Sequence, residues 1–260
     1  MTHTEQSMDA LRRSGDELAD AVVATLFERG EVGTFNSLMR YVSTAGQELP
    51  DGLPGVAREY LRVTGTPPAW VDWDDMERAR LFFIDNNVHI STALSFASMP
   101  ACYVVPHVAR LLSATHGLNY PSKRMAETGQ FTVYLMRPDA FGAGGRFVPA
   151  AQKVRLLHAA IRHHLKREDR WDTDTLGVPI CQEDMIGGQM FFSLLVLDSL
   201  HRLAFTCPPR ARTPTTTPGA SSVPSSASTR RPFPPRSTRH AGFSTCTCSA
   251  TWAPPRRAST

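Results

Sequence analysis

Two stretches of this chain set ionisable side chains where a helix would turn them inward. In the first, Arg124, Thr128, Phe131 and Leu135 recur at the period of one helical stripe. The spacing predicts an arginine and a threonine on the stripe that otherwise faces the core. A buried guanidinium needs a counter-charge, which a carboxylate of the chain or of a bound cofactor would supply in a two-pronged contact. A helix start that turns Arg124 to solvent satisfies the same spacing. In the second stretch, Val154, His158, Ile161 and Leu165 keep the same period, so His158 falls on an apolar stripe. There it reads either as a hydrogen-bonded core histidine or as a neutral imidazole able to bind a metal. Arg162 shares its side of the helix, whereas His163 and His164 are rotated away and are expected at the surface.

Other chemistry is sparse. Gln182-Glu183-Asp184 opens an apolar run, where acidic residues complement a helix dipole. Gly187 and Gly188 within that run cost about 1 kcal/mol each relative to Ala, which close approach of a flat ligand or another helix would justify. Gly142-Ala-Gly-Gly145 follows no strand and has neither dinucleotide nor P-loop spacing. No nucleophile elbow, zinc-protease motif or paired E-x-x-H di-iron pattern occurs. Cys102 and Cys181 lie too far apart for a disulfide framework or a zinc site, and all five cysteines read as incidental.

The elements that must position these residues read as helices: Leu18 to Arg29, Thr34 to Tyr41, Gly52 to Thr64, Met76 to Asn86 with Asp74 as cap, Ser91 to Ser98 and Tyr103 to Thr115. Ser122 is a cap for a helix from Lys123 to Met136. Pro149 fits the first turn of a helix reaching Arg167, and Gln182 to Leu203 reads as one last helix. No alternating strand pattern appears, so the expected fold is all-α, a single domain over residues 1–203.

From Ala204 onward the composition changes abruptly. That stretch holds eight Arg and no Asp, Glu, Lys, Leu, Ile or Met, and is otherwise rich in Pro, Ser, Thr and Ala. Such a segment buries too little apolar surface to offset the entropy of ordering, so residues 204–260 are expected to be disordered. The change falls inside a helical pattern, as a frame shift in a GC-rich gene would produce. Before it stand 20 basic and 24 acidic residues, so the overall charge of +4 gives no reason to expect nucleic acid as a partner. No apolar run approaches the length of a membrane span, and the polar first 20 residues lack the pattern of a secretory leader, which makes the cytoplasm the expected location.

Taken in order, Pro68-Ala-Trp-Val-Asp-Trp73, Arg124-Met-Ala-Glu-Thr128, Val154-Arg-Leu-Leu-His-Ala-Ala-Ile-Arg162 and Gly177-Val-Pro-Ile-Cys-Gln-Glu-Asp184 resemble the catalytic domain of MpaB-type and latex-clearing (rubber) oxygenases. The resemblance covers roughly residues 65 to 203. It implies helices, mostly orthogonal, around a pocket for haem b, with dioxygen and a hydrophobic molecule as partners. It makes His158 the iron ligand, places Arg124 and Thr128 beside the haem, and adds Arg162 to the cofactor-binding set. The family's lysine immediately before that threonine is replaced by Glu127, which joins Arg124 and Thr128 as a candidate catalytic residue. This departure and the absence of an export leader point away from rubber and toward a smaller terpenoid or lipid-like substrate. The family continues with further helices where this chain becomes Pro-rich, so the last apolar helix is expected to lack cover. A helical binding or scaffold protein without a redox centre, or an inactive truncated product, is the alternative.

Overall fold

The computed structural model describes residues 5–115 and 121–203. The expected disordered segment, with Cys207, Cys246 and Cys248, lies outside them. The described residues are all-α, with no strand among them. The helices are α1 (Glu5–Arg12), α2 (Glu17–Glu28), α3 (Val32–Met39), α4 (Gly55–Val63), α5 (Trp73–Asp85), α6 (Asn87–Ala93), α7 (Met99–Val104), α8 (Pro106–Ala114), α9 (Pro121–Leu135), α10 (Phe147–Arg167), α11 (Thr173–Leu176), α12 (Gln182–Phe192) and α13 (Leu194–Arg202).

The fold is organised around α10, whose 21 residues extend over about 30 Å. Its middle packs Leu156 and Ala159 against Val22, Val23 and Leu26 of α2 and Tyr60 and Leu61 of α4. Phe147 and Ala151, at its start, join Met76 and Ala79 of α5 and Leu135 of α9 in a second core. Leu165, near its end, packs with Leu111, Trp171 and Ile180. A smaller core joins Ile90 and Ala93 of α6 to Val196 and Leu200 of α13. Burying each such aliphatic side chain contributes about 1.5–3 kcal/mol, so α10 is held along its whole length.

Local chemistry explains where the helices depart from the periodicity. Asp72 caps α5, accepting from Asp75 N at 3.0 Å, so the helix starts at Trp73 and Asp74 lies inside its first turn. Likewise α9 begins at Pro121 and Ser122 is already helical. Between α6 and α7 the chain takes a wider π-helical turn, Leu94–Ser98, with Met99 N bonded to Leu94 O. Pro100 has no N–H to give and its ring would crowd the carbonyl four residues back, which the wider turn relieves. Val105 is extended, as a residue before proline must be, so α8 starts only at Pro106. The expected single helix from Gln182 to Leu203 is broken at Ser193 (φ −121°, ψ −74°). Ser98 Oγ donates to Phe191 O at 2.7 Å and Ser193 Oγ to Gln189 O at 2.6 Å, which satisfies carbonyls that a continuous helix would pair internally. The short helices α1 and α11 are not among the expected elements. No single described helix is long and apolar enough to cross a membrane; one pair bent by 92°, Asn87–Val104 with Pro106–Ala114, meets the length and composition together.

Candidate functional site

The expected apolar stripe of α10 is rotated in the fold. In the middle of the helix the buried residues are Gln152, Arg155, Leu156, Ala159 and Arg162, facing α2 and α4; of the stripe Val154, His158, Ile161 and Leu165, only Leu165 is fully buried. Two ion pairs set the rotation. Arg155 donates from Nε and Nη2 to the two oxygens of Asp16 at 2.6 and 2.9 Å, and its guanidinium lies 5.5 Å from the centre of the Tyr60 ring. Two turns on, Arg162 Nε donates to Asp20 at 2.7 Å and Nη1 to the Ile180 carbonyl at 3.1 Å. Asp16 also caps α2, accepting from Ala19 N, while Asp20 accepts from Asp16 N. The buried guanidinia thus meet carboxylates that the start of α2 already needs.

This leaves His158 half-buried beside the ion pairs, and no described residue offers its ring a hydrogen bond. Burial lowers its pKa to about 4, assisted by Arg162 and Arg124 and opposed by Asp16. The imidazole is therefore neutral near pH 7, the form that donates a lone pair to a metal. Arg124 acts electrostatically on both His158 and Cys102, so the start of α9 lies within reach of α10 and α7.

The other expected site residues differ in burial from the expected core stripe, and for Arg124 the solvent-facing alternative holds. Arg124, Glu127 and Thr128 are exposed, not buried on a core stripe. Ser122 to Gln130 is exposed throughout, and it is Phe131, Tyr134, Leu135 and the following Met136 that engage the second core. Glu127 faces Lys123 at 3.9 Å, and Thr128 O accepts from Thr132 Oγ. Arg162, expected to hold a cofactor, is only 3% exposed and is engaged by Asp20 and Ile180; its Nη2 is buried with no partner. His163, expected at the surface, is half-buried and stacked on Phe27 with ring centroids 4.4 Å apart, while His164 is exposed as expected. Gly187 and Gly188 face open space, where an added Cβ would meet nothing within 4 Å, so no neighbouring helix accounts for them.

Sequence reasoning also missed the role of Cys181. It caps α12, its sulfur accepting from Asp184 N at 3.5 Å while Asp184 Oδ2 accepts from Cys181 N at 3.2 Å. The other Asp184 oxygen bonds His107 Nδ1 at 2.8 Å, and the His107 ring stands edge-on to Trp171. The x-x-D spacing after Cys181 carried the cap, but cysteine replaces the usual serine. The Asp16 and Asp20 partners of Arg155 and Arg162 were legible only as matching one-turn and two-turn spacings on separate helices.

The described helices define an all-α domain whose central helix carries a half-buried, neutral histidine. A rubber oxygenase from Streptomyces sp. (strain K30) is 30% identical over 173 residues, 66% of this chain and 42% of that protein. The structure of latex clearing protein LCP in the closed state superposes with a TM-score of 0.64 at 26% identity, over 74% of this chain and 52% of that one. No family model matches. The chain belongs to the latex-clearing, rubber oxygenase-like family, and spans about half the length of the relatives it matches.

Proposed function

We propose that the chain binds haem b through His158 and acts as a haem-dependent oxygenase on a hydrophobic terpenoid- or lipid-like molecule. The observation that carries this is the state of His158: neutral, half-buried and without a hydrogen bond to any described residue, on a helix clamped along its length. A metal ligand on so fixed a helix loses little entropy on binding. Arg124, within electrostatic reach, would pair with a propionate, and the exposed apolar side chains of Met125 and Leu157 would lie against the macrocycle. The open space at Gly187 and Gly188 leaves room for a flat group. Haem b, when bound, supplies the iron chemistry that activates dioxygen.

The Streptomyces relative is named for rubber. Glu127 here stands next to Thr128, where the resemblance expects a lysine, and that reversal of charge would alter ligation and oxygen activation, which speaks for a substrate other than rubber. A second reading, a haem-free binding protein of the same fold, is favoured by the exposure of Arg124, Glu127 and Thr128. The two separate on one experiment: purification from haem-replete cells and a pyridine haemochrome assay. About one haem b per chain, lost in His158→Ala, is the expected result. A folded, haem-free wild type would overturn the oxygenase reading.

A further inference from the structure

The aromatic motif that ends in Trp73 takes no part in the His158 site. Trp73, Met76, Glu77 and Arg80 form one stripe of α5, which faces the segment from Leu135 to Gly142 across a cavity of about 390 Å³. The far wall belongs to the end of α9, whereas Arg124 lies in its first turn, about 16 Å away along the helix axis. The cavity is therefore separate from the His158 site.

Its walls are preformed. Trp73 is 53% exposed, but its ring meets the edge of Phe141 at 5.5 Å, and Phe141 meets the buried Phe147 at 5.0 Å. The loop rim is fixed by Arg137 Nε on Asp139 at 2.9 Å and by paired backbone bonds of Gly144 and Gly145 with Ala45. Gly145 is obligatory, because a Cβ there would lie 2.1 Å from the Asp139 carbonyl oxygen. Met76 and Leu135 are buried in the second core, but the outer end of the stripe, at the exposed Trp73, borders space equal to about a dozen water molecules.

Two guanidinia give the cavity polar groups. Arg80 holds both oxygens of Glu77 at 2.7 Å, and Arg137 holds Asp139 through Nε alone, so each cation has a carboxylate and keeps N–H groups to spare. Arg80 Nη1 and both Nη groups of Arg137 have no partner among the described residues. Guanidinium N–H groups of this kind select planar oxygen acceptors. We propose that the cavity binds a small apolar carboxylate, its body against Trp73, Met76, Leu135 and Phe141 and its carboxylate on Arg80 and Arg137.

The test is calorimetric titration of the full chain with octanoate and with 1-octanol, together with hydrogen exchange. Octanoate is expected to saturate one site and to slow amide exchange in residues 137–142. Trp73→Ala weakens both ligands. Replacing both Arg80 and Arg137 by Met weakens octanoate at least about tenfold and leaves octanol unchanged. Absence of saturable octanoate binding, protection at a different segment, or binding indifferent to the double substitution would overturn the proposal. Circular dichroism of each variant, expected to match the parent, separates loss of the site from loss of the fold. No arm depends on haem, so this inference and the oxygenase reading stand or fall separately.

Discussion

Asp16 and Arg155 form a two-pronged ion pair in which both side chains are nearly removed from solvent, 14% and 6% exposed. The carboxylate caps α2 with one of the same oxygens that binds the guanidinium. Asp16→Ala therefore strands a buried cation and uncaps a helix together. The expected cost is about 3–5 kcal/mol, read from urea denaturation. Asp16→Asn keeps the cap and should cost less; equal losses from the two would show that the charge, not the cap, carries the stability.

The neutral His158 makes stability depend on pH. Its pKa is near 4 in the fold against 6.5 for the free side chain. Between these values the unfolded chain takes up a proton that the folded chain refuses. The associated stability is complete above pH 6.5 and is lost as pH falls toward 4. From pH 7 to pH 5 the loss attributable to this group is about 2 kcal/mol. His158→Gln should flatten the pH profile by that amount, and an unchanged profile would mean the imidazole titrates normally.

The open space beside Gly187 gives a prediction of opposite sign. It lies within α12, has no positive φ and faces no atom within 4 Å. Gly187→Ala should raise the stability of the ligand-free chain by about 0.5–1 kcal/mol, seen as a higher Tm. A fall in Tm would reveal a close neighbour in solution.

Cys181 is fully buried, and burial pushes its thiol up to about 12. Alkylation by iodoacetamide at pH 8 should spare it until the chain unfolds, while half-buried Cys102 reacts faster. Mass spectrometry of the two peptides reads the difference; rapid labelling of Cys181 in the folded chain would contradict the capping geometry.

Helix period alone located α2, α4, α9 and α10, because each has an apolar face long enough to survive local noise. It failed at Ser193, where a hydroxyl from Ser98, distant in sequence, competes for the helix's own carbonyl. It also failed on the burial of α10: His158 and Arg155 are one turn apart, and periodicity cannot tell which neighbour an arginine finds. The inward stripe of α9 was read from Phe131 and Leu135, which do pack, and extended to Arg124 and Thr128, which do not. A pattern shows which side of a helix is apolar, not how far along it another element reaches.

The first helices are also tied to the last. Val178 N bonds Arg12 O, Gln182 N bonds Ser14 O, and Arg12 pairs with Glu183. Gly177, at φ +75°, admits that approach because a Cβ there would lie 2.7 Å from the Arg12 carbonyl oxygen. These contacts close loops of some 165 residues, long-range pairings of the kind that slow folding. During synthesis the segment around Arg12 emerges well before its partners, which are made only when residues 177–183 leave the ribosome. That segment is thus a latch that closes late, and α10 is not fully clamped until nearly all of the described residues exist.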